Sequence, residues 1–458
     1  MVRKGDWSSL VKSGQAPCNA IKCRFNLQGK EGGRKIFMFK ICSSTSPVSA
    51  RFFQPVADLF AKLGSRRSCP ALSDSEFIEL GVCRVLSQAS SGRDFLQAHH
   101  EAGGANPSLG LFFETLKSAR RLSLCQEVNR SLQKRLGAVG EDPFLAFPEL
   151  GDFDLYAGDG HYHAAAVHDS ELGGSRRAVG HFFTLNLRSR ALRHLALGQS
   201  GGERKCEHDM HVLKRLDFVA LRHGAKKGRK VMLVWDRAAI DFRLWYKAKQ
   251  VGLYFLSREK ENMRLETMGL LPFDKNAPCN SGVQSDEIVG TSQGVCVRRI
   301  TYHDPVEKIT YVYLTSNTTL PPGLLVVLYK RRWDIEKAFD ETKNKFQEAK
   351  AWASSPQAKM IQGQFIAMTH NLMLFIEVDL DQREQVRNEP EIARREKRLQ
   401  QVATRLAKDG QRLPFAYSAF RQLTQRGVKL IRWLRNHLYN NCPWQVAVSR
   451  LRRLYAAL

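Results

Sequence analysis

The sequence predicts an α/β core with helical regions on both sides, and three observations carry that reading. Between residues 153 and 257, short runs rich in β-branched and aromatic residues alternate with helical stretches. Two of the runs, Asp154–Asp159 and Lys230–Asp236, each end on an aspartate. Farther on, Leu324 to Lys350 contains neither proline nor glycine, and Pro321 and Pro322 stand just ahead of it, so a long helix is predicted there.

Taken in order, residues 1–70 read as a basic N-terminal arm with Gly/Arg/Lys clusters such as Gly29–Lys35, although Phe37, Phe39, Phe52 and Phe53 also fit a packed segment. Residues 71–150 read as a helical domain. Ser73 and Glu76 fit a capping box ahead of an apolar run, Asn106-Pro107 fits a helix start before Leu109–Leu122, and a further helix is expected over Cys125–Leu136. The pieces could hold a helix-turn-helix, and a plain helical bundle fits them at least as well.

The texture turns strand-like at Phe153. A first strand ends at Asp159, and Gly180–Asn186 and Arg190–Leu197 continue a meander. A helix follows over 208–222, then the continuous apolar run Lys230–Asp236 of a strand buried on both faces, a helix over 240–250 and a strand over 253–257. Three strands, helix, strand, helix, strand is the element order of the ribonuclease-H-like fold. Residues 151–257 would form its first part and 321–376 its closing helices. The interval 258–320 interrupts it with β-rich text, including two strands at Val295–Tyr302 and Ile309–Thr315 joined through His303-Asp304-Pro305. Residues 377–458 read as a basic helical C-terminal region. From 391 onward they carry fifteen Lys or Arg against three acids, interleaved with aromatics, which fits nucleic-acid contact, multimerisation or a solvated basic face.

Composition bounds the function. With 458 residues, 71 Lys plus Arg against 45 Asp plus Glu and a net charge of +26, the chain favours a polyanionic partner, because basic contacts to phosphate release condensed counterions. A ribosome-associated or membrane-surface protein would share that balance. No run reaches the ~18 apolar residues that span a bilayer, and the first residues lack the apolar core of a signal peptide. Ten cysteines without a C-x-x-C pair fit reduced thiols. A cytosolic location without membrane contact is expected.

The stretch Tyr329–Lys343 reaches further. At about 100° per residue, Tyr329, Arg332, Glu336 and Lys343 share one helical face, which Asp340 also shares. The same stripe fits a solvated face of i,i+4 ion pairs. Yet Tyr329-x2-Arg332-x3-Glu336-x6-Lys343 resembles the signature of the insertion sequence four family of bacterial DDE transposases, as does the flanking Leu328, Trp333, Ile335 and Phe339 with His370-Asn371-Leu372 beyond. The resemblance covers about residues 150–376.

That resemblance implies a catalytic triad of Asp159, Asp236 and Glu336 holding two Mg²⁺ ions, with Mn²⁺ able to substitute. Hard cations of this kind take carboxylate oxygens. Asp152, Asp154, Asp169, Asp241 and Asp340 are rival acids; the family spacing selects Glu336 over Asp340. Arg332 and Lys343 would clamp phosphate, and Tyr329 would offer a hydroxyl to DNA or pack under the site. Trp333 is expected in the sheet–helix interface, with stacking on an unpaired base as the alternative. Some relatives form a DNA hairpin and hold a flipped base with an insertion-domain tryptophan. Residues 258–320 contain no Trp, which leaves Tyr302, Tyr311 or Tyr313 for that role. Zinc is not expected: His161, His163 and His168, and likewise Cys206, His208 and His211, lack a second ligand pair at structural-zinc spacing, although His161 near Asp159 could assist proton transfer.

The implied activity is cut-and-paste transposition: metal-dependent hydrolysis at transposon terminal inverted repeats, then strand transfer of the 3′-hydroxyl into target DNA. Double-stranded DNA and a homodimer or higher multimer are the implied partners. A ribonuclease-H-like nuclease without strand transfer, and a catalytically idle domesticated DNA-binding protein, are the alternatives.

Overall fold

A nine-stranded mixed sheet runs through the middle of the chain, and helices from both ends of the sequence pack on it. The structure is a computed structural model, describing residues 46–63, 71–418 and 428–456 apart from 88, 172–173, 199, 202–204, 207, 293, 347 and 349. Residues 40–458 cluster as one unit. The N-terminal arm expected over 1–70 therefore lies largely outside the described residues. At its end the packed alternative holds for Phe52 and Phe53, and not the loosely ordered arm: Pro47–Leu63 forms a helix, α1, whose Val48, Phe52, Phe53 and Val56 are buried. Apolar residues at helical spacing outweigh the basic composition there.

The next helices are α2 (Asp74–Leu86), α3 (Gly92–Glu101), α4 (Leu109–Leu116) and α5 (Ala119–Val139). The capping box at Ser73 and Glu76 is present on both sides. Ser108 caps α4 and Ser118 caps α5, so the single helix expected to Leu122 is divided. α2 and α5 lie against the later helix α11 (Pro356–Glu384). There Phe77 meets Phe365, and Asn129 donates to the Gln364 side chain at 2.7 Å. Burial of a Phe of this kind contributes about 1.5–3 kcal/mol, so these helices share one core with the sheet.

The sheet begins with β1 (Phe153–His163), β2 (Val179–Asn186) and β3 (Leu192–Leu197), an antiparallel meander. β1 is longer than expected, so Asp159 sits within the strand rather than at its end. The parallel pairing of β1 with β6 nevertheless stops at Ala157↔Val234, so Asp159 lies just past the last rung on that side. A small ribbon of β4 (Ser200–Gly201) and β5 (Lys205–Cys206) precedes α6 (Asp209–Arg215) and α7 (Phe218–His223). The helix expected over 208–222 is split because Asp217 caps a new start, accepting from the Ala220 amide at 3.0 Å.

β6 (Lys230–Val234) is the buried apolar strand foreseen, running parallel to β1 and to β7 (Leu253–Arg258). Between them, α8 (Phe242–Gln250) starts later than expected because Asp236 first caps a short 3-10 turn and Asp241 then caps the helix. The interval before Leu320 holds four strands rather than two: β8 (Leu265–Leu270), β9 (Val283–Thr291), β10 (Cys296–Asp304) and β11 (Ile309–Thr315). β10 and β11 form the expected hairpin. β11 also pairs with β7, giving the order β3-β2-β1-β6-β7-β11-β10-β9-β8 in one continuous sheet.

The long helix expected over 324–350 is three pieces. α9 (Pro322–Arg331) and α10 (Trp333–Asp340) meet at Arg332, and a π-helical turn follows over Glu341–Lys345. At the junction the Arg332 amide bonds the Tyr329 carbonyl and the Ile335 amide bonds that of Arg332, both i→i+3, which tightens the turn locally. After α11 come α12 (Glu389–Lys408), α13 (Phe415–Ser418), α14 (Val428–Leu438) and α15 (Trp444–Ala456). α14 packs on α1 and α15, and α1 packs on α11. Among the described residues no helix is long and apolar enough to cross a membrane.

Candidate active site

The edge of β1 beyond its last rung with β6 faces the start of α10. Arg332 links the two. One of its terminal nitrogens lies 3.2 Å from Glu336 Oε1 and 3.6 Å from Asp159 Oδ2, and the residue is buried. Two of the predicted acids thus share one guanidinium. Asp236 follows β6 and accepts from the Ala238 amide at 2.8 Å, while Ser257 on β7 donates to its carbonyl at 2.7 Å. The Tyr329 phenol feels both Arg332 and Asp236, and burial pushes its pKa up. Tyr329, Arg332 and the three acids therefore gather at one end of the sheet.

Lys343 is exposed on the π-helical turn, within electrostatic reach of His161 and His163. The rival Asp340 accepts from the Asn344 side chain. Asp154 is held by the Lys226 amide and Arg229, Asp169 by Lys359, and Asp241 caps α8. Trp333 contradicts its expected burial: it is 59 % exposed, with the Arg332 guanidinium 5.3 Å from its ring centroid. Since Arg332 takes the inward position, the next residue, about 100° around the helix, faces out.

Close packing sets the acids in place. Gly158 has room for no side chain, because a Cβ there would fall inside the ring of Trp235, which is fully buried. Burial pushes the Asp159 carboxyl up to about 7; the Arg332 guanidinium opposes the shift, the Glu336 carboxylate adds to it, the Gly160 amide opposes it and Asp209 adds again. Asp209, at the start of α6, accepts from Trp235 Nε1 at 2.7 Å and interacts electrostatically with both Asp159 and Asp236. Sequence reading missed it, since its partner lies far along the chain and no spacing marks it.

Under the meander lies a group of four buried imidazoles. His161 and His163 on β1, His181 on β2 and His194 on β3 follow one another ring to ring at 4.6, 5.1 and 5.2 Å between centroids. Burial pushes His163 down to about 4 and His194 down to about 3. His168, His208 and His211 are exposed, and no three His, Cys, Asp or Glu among the described residues stand in an arrangement that holds a metal ion.

Residues 176–372 match the family model described as the transposase DDE domain. The match takes in Asp236, Arg332 and Glu336 and begins after Asp159. It supports a DDE transposase, which acts on DNA and generally uses divalent metal ions. No curated protein matches the chain. The donor set suits such ions in chemistry: Asp159, Asp236 and Glu336 offer hard carboxylate oxygens, and Asp159 is raised partly by negative neighbours that a cation would offset. They are not drawn into one coordination shell, because Arg332 stands between Asp159 and Glu336.

Proposed function

We propose that the chain is a cut-and-paste transposase of the insertion sequence four type, with a ribonuclease-H-like core and Asp159, Asp236 and Glu336 as its catalytic acids. The observation that carries the reading is the bridge of Arg332 between Asp159 and Glu336, beside Tyr329, which interacts electrostatically with both Arg332 and Asp236. The order of an antiparallel meander followed by two parallel strands supports the ribonuclease-H-like core.

In this reading the three acids hold two Mg²⁺ ions, or Mn²⁺ in their place, which when bound activate water and stabilise the leaving oxygen. Arg332, released from the carboxylates it now bridges, contacts the scissile phosphate, where its fork suits two oxygens at once. Tyr329 holds Arg332 at the correct angle from beneath. Lys343 supplies charge to the neighbouring backbone from the exposed π-helical turn, and Trp333 presents its open face to an unpaired base. Water oxygen bonds to phosphorus as the bond to the 3′ oxygen breaks, and that oxygen leaves as a hydroxyl. In the second step the hydroxyl attacks a target phosphodiester and displaces its 3′ oxygen. Two transposon ends must be held together, so a dimer or larger assembly is the working form.

The experiment is incubation of purified protein with candidate inverted-repeat DNA and Mg²⁺, with mapping of 3′ ends and of joined products. Cleavage followed by joining is expected. Cleavage without joining would replace this reading by a nuclease, and binding alone by an idle DNA-binding descendant. Glu336→Gln should abolish cutting while end binding persists; retained cutting would remove Glu336 from the site.

A further inference from the structure

A fourth carboxylate borders the site, and the structure gives it two attachments. Asp209 Oδ2 accepts from the indole of Trp235, the residue immediately before Asp236. Trp235 is fully buried, its ring lies on Gly158, the residue immediately before Asp159, and its amide bonds the Leu256 carbonyl at 3.0 Å. The other oxygen, Oδ1, faces Gly160, where a Cβ would come within 3.2 Å of it. Asp209 thus stands between the strand bearing Asp159 and the turn bearing Asp236, in a space kept open by glycine on one side and fixed by tryptophan on the other.

Its chemistry follows from that place. A carboxylate is costly to bury, and burial raises the Asp209 pKa, with Asp236 adding and the Trp235 N–H opposing. An indole needs one acceptor, which a neutral amide would supply as well. The negative charge is therefore surplus to the packing, and it lies where the neighbours are Asp159 and Asp236.

We propose that Asp209 is a positioning residue of the active site, holding Asp236 in place through Trp235 and adding negative charge that strengthens divalent-cation binding by Asp159 and Asp236. The proposal rests on the reading of Asp159, Asp236 and Glu336 as cation-binding acids. Outer partners of this kind are worth about 10–100-fold in metal affinity.

The test is Mn²⁺ binding to the full-length protein without DNA, followed by calorimetry and by the spin-resonance signal of free Mn²⁺, for wild type, Asp209→Asn, Asp209→Ala and Asp236→Asn. Asp209→Asn keeps the acceptor for Trp235 and should melt as wild type does, yet bind Mn²⁺ about tenfold more weakly. Asp209→Ala should bind more weakly still. In cleavage assays, Asp209→Asn should raise the Mn²⁺ concentration needed for half-maximal rate while the rate at saturation stays within a few-fold of wild type. Wild-type Mn²⁺ affinity in Asp209→Asn, with binding lost in Asp236→Asn, would overturn the role of Asp209 alone. Equal binding by wild type and Asp236→Asn would overturn the reading of the three acids as well.

Discussion

The buried imidazoles make the protein sensitive to acid, and His163 shows by how much. Both of its ring nitrogens are buried and find no hydrogen-bond partner among the described residues. Its titratable neighbours include the rings of His161 on its own strand and of His181 and His194 on the neighbouring strands, with Lys343 on the π-helical turn. Burial first, and then Lys343, pushes its pKa from 6.5 down to about 4. The unfolded chain therefore binds a proton that the folded one refuses. The stability this represents is full above pH 6.5 and is lost as the pH falls toward 4. At pH 5 the two values imply a loss of about 2 kcal/mol relative to pH 8. The losses of His181 and His194 do not simply add, since charging one ring raises the cost of charging the next. The perturbation is His163→Leu, which removes the titrating ring while keeping an apolar group of similar volume. Urea unfolding at pH 8 and pH 5 should show the variant at least as stable as wild type at pH 8, within about 1 kcal/mol, because two unsatisfied nitrogens disappear. The difference between the two pH values should shrink by about 2 kcal/mol. An unchanged difference would mean that His163 does not titrate in this range, and the argument would fail.

Three further outcomes follow from the packing. Asn371→Ala removes the side chain that accepts from the Leu192 amide at 2.9 Å and donates to its carbonyl at 3.0 Å, so β3 loses one of its ties to α11; thermal denaturation should show about 2–4 kcal/mol of destabilisation. Gly158→Ala drives a methyl group into the Trp235 ring, and both solubility and Mn²⁺ binding should fall, since Trp235 and Asp236 must move together. Trp333→Ala alters an exposed residue, so its unfolding midpoint should stay within about 0.5 kcal/mol of wild type while affinity for DNA with an unpaired end falls at least severalfold.

Much of the architecture was legible because the determining signals are local. β6 is a continuous apolar run, and α2 carries its capping box within four residues. The face shared by Arg332 and Glu336 is fixed by helical spacing, which survives the change in hydrogen bonding at Arg332 because that residue keeps helical dihedrals, φ −52° and ψ −37°. β9 was illegible for a physical reason. Its Asp286 and Glu287 are buried against Arg298 and Arg299 of β10, so charges occupy positions that a half-buried strand ordinarily gives to apolar residues. β8 failed differently: its residues are almost wholly exposed, which leaves no alternation to read. Asp209 depends on an indole in a different element, and no sequence period connects the two.

The aromatics of the insertion show why Trp333 is the surface to test. Tyr302 and Tyr313 are buried, at 1 % and 2 % exposure, and Tyr313 packs under Tyr329 with ring centroids 4.9 Å apart. Tyr311 is engaged on both sides, its hydroxyl bonded to Glu307 and its face covered by the Arg258 guanidinium at 4.8 Å. These rings form a support running from β11 to Tyr329, beneath Arg332 and beside Asp236, rather than a platform open to a base. A base extruded near the acids would find its open ring on the helix that bears Glu336. Because Trp333 follows Arg332 directly, any rotation of α10 that released Arg332 from Asp159 would move the stacking face in the same step. In the proposed function, phosphate contact and base contact would then be coupled through one turn of helix. Loss of the indole should accordingly weaken binding most for ends whose terminal bases are already unpaired, and least for fully duplex DNA.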